Sequence, residues 1–204
     1  MSGLTSMLTK QCESFANDSA SPASSNVTSE DLVVAVFDAL TGLHLPFMIS
    51  GSLASNFYGV PRATQDADLV LELDKLPIDA FAARLGDRCE VDPQLAFETV
   101  TGSRRLVVRA AESAFHVELF DVTDDSHDRE RFRRRRVVEV LGRAVSVPTP
   151  EDVIVNKLRW SKLAGRRKDF EDARNVMAVQ RDRLDYDYLR RWCRELGLLD
   201  QLER

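Results

Sequence analysis

The chain has 204 residues, with 28 Lys and Arg against 33 Asp and Glu, and a formal net charge of −5. With 44% hydrophobic and 30% charged residues, and no apolar run near the roughly 18–20 residues that cross a bilayer, it is neither collagen-like nor membrane-spanning. Its three cysteines, Cys12, Cys89 and Cys193, lie far apart, which argues against a disulfide framework and a structural zinc site. We expect a cytoplasmic protein with no membrane partner.

The charges are distributed unevenly along the chain. Residues 1–100 contain five basic and fourteen acidic side chains, a balance of −9, whereas residues 101–204 contain twenty-three basic and nineteen acidic ones, a balance of +4. A basic half can present a surface to a polyanion such as RNA, but arginines that alternate with acids on solvated helices give the same count. The charge balance alone does not decide between these interpretations.

The predicted elements describe a mixed α+β protein. Residues 1–27 are Ser- and Ala-rich near their end and predict a disordered tail. A helix capped by Ser29 follows and ends at Gly42, and its apolar residues recur at helical spacing. The remaining predictions are strands at 45–52, 66–73, 104–110, 115–120, 137–140 and 144–147, and helices at 53–58, 77–85, 150–164, 168–179 and 185–197. We expect a sheet-containing core over 28–147 and a helical region, 148–204, packed on it.

The segment ISGSLASNFYGVPRATQDADL, residues 49–69, carries the chemistry. A buried strand that runs into Gly51 and Ser52 at a helix start presents backbone N–H groups and a hydroxyl at the positive end of a helix, which is an anion site. Asp66 and Asp68 are two residues apart on a strand, so both carboxylates point to one side, where a shared Mg²⁺ would offset their repulsion. An Asp-x-Asp pair alone is usually a solvated strand edge, but the ordered combination is far more specific.

This segment resembles the signature of the polymerase-β-type nucleotidyltransferase superfamily, in its minimal and AbiEii-like branch: Gly-Ser, about ten to thirteen residues, then Asp-x-Asp. The resemblance implies a palm-like domain that moves a nucleoside monophosphate from a nucleoside triphosphate such as ATP to a hydroxyl group. Gly51 and Ser52 would hold the triphosphate, and Asp66 and Asp68 would bind Mg²⁺, with Mn²⁺ as a substitute. The run around them also implies nucleotide contacts by the two residues Arg62 and Thr64.

The family's third carboxylate lies on a later strand, and the matching segment here is FHVELFD, residues 115–121. By strand alternation, Glu118 points away from the apolar face formed by Val117 and Leu119, as a metal ligand should. Asp121 shares the apolar parity but sits at the strand end, where alternation is weak. Glu118 is therefore the preferred third ligand, and Asp121 the alternative.

Two later segments also resemble the superfamily. In TPEDVIVNKLRW, residues 149–160, Lys157 lies on the inner side of a predicted helix, where it either reaches nucleotide phosphates or extends outward from an apolar face. In RRKDFED, residues 166–172, Asp169 and Asp172 share one helical face. They orient Lys157, contact the nucleotide, or are ordinary acids near a helix start.

The remaining features are interpreted structurally. The run DRERFRRRR, residues 128–136, is predicted to be a solvated helix whose charges pair with one another, in preference to an RNA contact. Trp160, Trp192, Tyr186 and Tyr188 are predicted core residues. The acceptor implied by the resemblance is a tRNA 3′ end, a protein hydroxyl or a small molecule such as an aminoglycoside, and the AbiEii likeness implies a toxin with a cognate antitoxin. A catalytically silent nucleotide-binding module and an RNA-binding protein are the alternatives.

Overall fold

The computed structural model describes residues 27–87, 89–92, 96–97, 102–111 and 113–204. The predicted tail lies outside these residues except for Val27. Within the described ranges the helices are α1 (Ser29–Gly42), α2 (Gly51–Tyr58), α3 (Ile78–Leu85), α4 (Ser126–Arg134), α5 (Pro150–Ala164), α6 (Arg167–Gln180), α7 (Tyr186–Glu195) and α8 (Leu199–Leu202). The strands are β1 (Phe47–Ile49), β2 (Asp66–Leu71), β3 (Cys89–Val91), β4 (Ala96–Phe97), β5 (Arg104–Ala110), β6 (His116–Asp121), β7 (Arg136–Val140) and β8 (Arg143–Val147).

The main sheet is mixed. Its strand order is β1-β2-β6-β5-β3, and β4 also pairs with β5. Strands β2 and β6 run parallel, and the other pairs in this sheet are antiparallel. A separate hairpin joins β7 to β8. This arrangement confirms the predicted α+β class.

The main sheet has one apolar and one polar face because side chains alternate along each strand. On the apolar face Ala67, Leu69, Val117 and Leu119 are fully buried in the hydrophobic core, which also contains residues of α1. The opposite face carries the residues between them, including the register partners Asp68 and Glu118. The sheet therefore separates a hydrophobic core from a polar surface on which the predicted site lies.

Helix α1 covers the apolar face of the sheet. Leu32, Val36, Phe37 and Leu40 recur at helical spacing and are fully buried. The prediction that Ser29 caps this helix is wrong, because the cap is Thr28, whose hydroxyl and backbone N–H exchange hydrogen bonds with Asp31. A capping box of this kind satisfies two backbone donors at the helix start, whereas a serine one residue later would satisfy fewer.

Helices α5, α6 and α7 form the C-terminal part. Thr149 caps α5 and Pro150 occupies its first turn, as the sequence predicts. Tyr188 and Trp192 are buried as expected, but Tyr186 is 36% exposed, so its assignment to the core is wrong. No helix in the described ranges combines the length and the apolarity needed to cross a membrane. One cluster of buried apolar side chains extends from the sheet into these helices, and the boundary at residue 147 stays a prediction.

Candidate active site

A cavity of about 760 Å³ opens on the polar face of the sheet. It lies between the start of α2, strands β2 and β6, and the corner between α5 and α6. Of the site residues predicted from the sequence, those that border it are Gly51, Ser52, Asp66, Asp68, Glu118, Asp121, Lys157 and Asp169. Arg62, Thr64 and Asp172 are not among its lining residues in the described part of the chain, but each bonds to a residue that is. The structure thus brings the predicted residues to one place.

The start of helix α2 is pressed against strand β2. The backbone N–H of Ser50 donates to the carbonyl of Asp68 at 2.7 Å. Gly51 has a positive φ of 53°, and a Cβ atom built on it would lie 1.6 Å from Oδ2 of Asp68. Only glycine fits here, because any side chain would displace that carboxylate and would strain the backbone. The positive end of the helix is therefore held in contact with one of the two aspartates.

If the chain carries out the nucleotide transfer that the sequence resemblance implies, Gly51→Ala is expected to lower its rate roughly 100-fold, the effect of displacing an active-site group by about 1 Å. The positive φ adds about 1–2 kcal/mol of strain to the folded state. Gly86→Ala is the matched control, since Gly86 also has a positive φ but a Cβ there would meet nothing within 4 Å. Thermal unfolding and transfer rates of both variants test this, and equal losses of transfer would contradict it.

Three carboxylates face the cavity from neighbouring strands. Asp68 and Glu118 are directly opposite in the parallel β2–β6 pair, and Asp66 precedes Asp68 on the same face. The hydroxyl of Thr64 donates to Oδ1 of Asp66 at 2.7 Å and orients it. Removal from solvent and repulsion by Asp66 and Glu118 raise the pKa of Asp68 to about 7. A concentration of carboxylates, which are hard oxygen donors, fits a divalent cation such as Mg²⁺.

The third carboxylate is engaged elsewhere in this conformation. Oε1 of Glu118 accepts a hydrogen bond of 2.7 Å from Nη1 of Arg105 on β5. Among the described residues, no group of three or more His, Cys, Asp or Glu side chains is arranged to hold a metal ion. Within the described ranges, Asp66 and Asp68 are the candidate ligands without such an ion pair to arginine, whereas the pair with Arg105 opposes cation binding by Glu118.

Asp121, the alternative third ligand, is bound within the fold. Its carboxylate accepts a hydrogen bond from the backbone N–H of Leu73 at 2.9 Å and pairs with the guanidinium of Arg104. These partners lie at the edge where β6 ends, although Asp121 also borders the cavity. The geometry favours Glu118, and the choice between the two stays a prediction.

Lys157 lies in a buried network behind Ser52. Its ammonium group is 2.8 Å from carboxylate oxygens of both Asp169 and Asp172. Asp172 also accepts two hydrogen bonds from Arg62, which donates a third to the hydroxyl of Ser52 at 2.9 Å. The interpretation in which Lys157 extends outward is wrong, because the residue is only 4% exposed. Through the bond from Arg62 to Ser52, the network contacts the first turn of α2. Nucleotide contacts stay predictions for four of its residues: Lys157, Arg62, Asp169 and Asp172.

Asp172 depends on its cations. Burial alone would raise the pKa of this carboxyl group, but hydrogen bonds from Arg62 and the charge of Lys157 together bring the pKa below its ordinary value. Asp172 is therefore ionised in the folded protein and belongs to the ion-pair network. Asp169 also lies in the first turn of α6, where an acid favours the helix start.

The basic run at 128–136 is only partly the solvated helix that was predicted. Glu130 and Arg133 do pair on the surface. Arg131, however, is buried, bonds to Asp128 at 2.9 Å and donates to the hydroxyl of Ser50 at the cavity. The i, i+3 spacing of Asp128 and Arg131 could have indicated the pair, but the burial of Arg131 depends on its contact with Ser50, which is distant in the chain.

The corner between α5 and α6 contributes residues that sequence reasoning missed. Trp160 borders the cavity and is only partly buried, so its prediction as a core residue is wrong. The guanidinium of Arg166 lies 5.0 Å from the centre of the Trp160 ring, and exposed Lys168 completes this side. The apolar spacing of α5 does not distinguish Trp160 from a core residue, because the part of the helix face at Trp160 borders the cavity and not the core.

Comparisons with known proteins bear on the fold. No protein-family model matches the chain, and no curated protein matches its sequence. ANT(2″)-Ia in complex with adenylyl-2″-tobramycin superposes with a TM-score of 0.54 at 15% identity, over 82% of this chain and 96% of that one. An antigenic nucleotidyltransferase-like protein from Paracoccidioides brasiliensis gives 0.50 at 20% identity, over 78% of each chain. The chain has the nucleotidyltransferase fold. At these identities the similarity extends to the fold alone.

Proposed function

We propose that the protein is a metal-dependent nucleotidyltransferase that moves a nucleoside monophosphate from a nucleoside triphosphate to a hydroxyl acceptor. The observation that carries the proposal is the contact between the start of α2 at Gly51 and Asp68, beside Asp66 and Glu118 on one cavity wall. This contact supports a phosphate site next to a cation site, because a helix start favours anions and the carboxylates favour a divalent cation. A nucleoside triphosphate bound with its cation needs both.

In the proposed reaction, the acceptor hydroxyl oxygen attacks the α-phosphorus. A new P–O bond forms, the bond to the pyrophosphate oxygen breaks, and pyrophosphate leaves with that electron pair. The hydroxyl proton passes to one of the cavity carboxylates. Gly51 and Ser52 hold the β- and γ-phosphates, and Asp66, Asp68 and Glu118 would hold Mg²⁺. When bound, this cation neutralises the phosphate charge and makes the acceptor hydroxyl more acidic.

The acceptor class, the AbiEii-like branch and a toxin role with a cognate antitoxin are finer proposals. The acceptor classes are a tRNA 3′ end, a protein hydroxyl and a small molecule. ANT(2″)-Ia, which shares the fold, was solved with adenylyl-2″-tobramycin. We therefore propose aminoglycosides as the first small molecules to test, beside RNA and protein acceptors.

The test of the proposed function incubates the full chain with each α-labelled nucleoside triphosphate, Mg²⁺ and in turn tRNA, aminoglycosides and a cell extract. We expect label in one acceptor class, loss of labelling with a chelator, and none with Asp66→Ala/Asp68→Ala. Equal Mg·ATP binding by the wild type and this variant, with no transfer by either, would instead indicate a silent nucleotide-binding module.

The third carboxylate is identified by a matched pair of isosteric variants. Glu118→Gln is expected to lower transfer at least roughly 100-fold, because it removes a charged cation ligand. Asp121→Asn should keep transfer near the wild-type rate but lose about 1–3 kcal/mol of stability, because its bonds to Arg104 and Leu73 weaken. Transfer rates and urea unfolding distinguish them, and the reverse pattern would assign the ligand to Asp121.

A further inference from the structure

Arg105 is placed to control Glu118. In the antiparallel β5–β6 pair, Val107 lies opposite Glu118 and Arg105 lies opposite Phe120, so Arg105 reaches Glu118 along the diagonal on the cavity face. Its Nη1 is 2.7 Å from Oε1 of Glu118, whose side chain is only 12% exposed. Nε2 of His116 lies 3.6 Å from the same oxygen. The Glu118 carboxylate is thus largely shielded from water, whereas the Arg105 side chain is 34% exposed, so the pair is stronger than one in open solvent.

A guanidinium at this distance opposes coordination of a cation by Glu118. The two positive groups would repel one another, and the oxygen that accepts from Arg105 has one fewer lone pair for a metal. The described residues contain no three-ligand metal group in this conformation, in agreement with this competition. Glu118 therefore binds a cation more weakly while Arg105 stays in place, even through its other oxygen, Oε2.

The guanidinium also has reason to move. Nε of Arg105 is buried and has no hydrogen-bond partner within the described part of the chain. A buried donor without an acceptor is costly, so an arrangement that gives this nitrogen an anionic oxygen is favoured. Arg105 borders the cavity in which the triphosphate is proposed to bind, and arginine binds phosphate oxygens through two parallel hydrogen bonds.

We propose that Arg105 is a positioning residue that holds Glu118 until nucleotide binds, then exchanges Glu118 for a phosphate oxygen and so releases Glu118 to the cation. The inference rests on the proposed function and adds a form of regulation to it. Nucleotide and divalent cation then bind cooperatively, and each raises the affinity for the other by the same factor. A cation without nucleotide meets only Asp66 and Asp68.

The test measures Mn²⁺ binding from the loss of the free-ion signal in electron paramagnetic resonance, with and without a non-hydrolysable α,β-imido nucleotide, after subtraction of the Mn²⁺ that the analogue binds in protein-free samples. Wild type should bind Mn²⁺ more tightly when the analogue is present. Arg105→Met should bind Mn²⁺ about tenfold more tightly than wild type without the analogue, because a nearby positive charge is gone. It should respond less to the analogue and bind the analogue itself more weakly.

The control is Arg109→Met. Arg109 lies on the same strand and face as Arg105, opposite His116, and is exposed. Its removal subtracts the same charge from the same strand and should leave Mn²⁺ binding as in wild type. Arg105→Gln should shift affinities in the direction of Arg105→Met and serves if the methionine variant does not fold. Adding Glu118→Gln to Arg105→Met should abolish the gain in Mn²⁺ affinity.

The opposite shifts in cation and nucleotide affinity are the signature of the proposal, since a merely structural role would weaken both. Equal Mn²⁺ affinities and equal nucleotide dependence in Arg105→Met and wild type would overturn the role of Arg105 and leave the proposed function intact. If wild type binds no Mn²⁺ with or without the analogue, the proposed function fails, and the role of Arg105 with it.

Discussion

Asp68→Asn is expected to abolish nucleotide transfer and yet to stabilise the folded protein at neutral pH and above. The transfer rate should fall roughly 10³-fold or more, because the residue is a proposed ligand of the cation that neutralises the phosphates. A negatively charged carboxylate here faces Asp66 and Glu118, and asparagine removes that repulsion while keeping the shape. Function and stability therefore make opposite demands on this position.

The pH dependence of this effect follows from the pKa of Asp68. Its pKa is about 7 in the folded protein against 3.8 ordinarily. Between these values the folded state binds more protons than the unfolded state, so its stability falls as the pH rises from about 4 to about 7. The gain from Asp68→Asn should be about 1–2 kcal/mol at pH 8, since part of the residue remains exposed, and should vanish near pH 4.

Urea unfolding of both proteins at pH 4 and pH 8, without divalent cations, measures this gain. Adding Mg²⁺ and a nucleotide should stabilise the wild type and not the variant, because a ligand that binds only the folded state raises its stability. A variant that is less stable than the wild type at pH 8 would show that the repulsion between the three carboxylates is already compensated.

Lys157→Met is expected to cost about 3–5 kcal/mol of folding stability, since it removes one partner from a buried ion-pair network. Asp172 would keep Arg62, but Asp169 would lose the ammonium group 2.8 Å from its Oδ1, while its Oδ2 is buried with no partner in the described residues. A loss of this size is a large part of the stability of an average domain. We expect little folded protein at 37 °C.

The double variant Lys157→Met/Asp169→Asn separates charge from packing. Replacing the stranded carboxylate with a neutral amide should restore at least half of the lost stability, because the main cost is an uncompensated buried charge. Lys162→Met on the same helix is the control: Lys162 is exposed and donates to the carbonyl of Gly197, so its replacement should cost less than about 1 kcal/mol. Thermal unfolding compares the three variants, and a double variant no more stable than Lys157→Met would assign the loss to packing.

Much of the fold could be predicted from local patterns. The helical spacing of Leu32, Val36, Phe37 and Leu40, and the start of α5 at Thr149 and Pro150, lead to elements that the structure confirms within a few residues. The short strands β3 and β4 were not predicted, because segments of three and two residues show no periodicity. Pairing with β5 creates them.

The candidate site also contains residues that local patterns identified and residues that they did not. Gly51, Asp66 and Asp68 were singled out from the order of elements along twenty residues: a strand, a glycine at a helix start and an Asp-x-Asp pair. The contact between Gly51 and Asp68 depends on strand pairing and was not predicted. Trp160 and Arg131 were misjudged, because the same helical pattern serves a residue that packs in the core and one that borders a cavity. Their surroundings come from elements distant in the chain.

Local patterns show which residues carry charge and hydrogen-bonding capacity, and which of them alternation places on one face of a strand. Alternation favoured Glu118 over Asp121, and the family resemblance implied that it joins Asp66 and Asp68. The packing of the chain then shows that Glu118 is bound to Arg105, that Asp121 is bound to Arg104, and that Lys157 is buried with two aspartates. The reason is physical: an ion pair depends on a distance of a few ångströms between atoms, and the register of distant strands and the packing of helices set that distance.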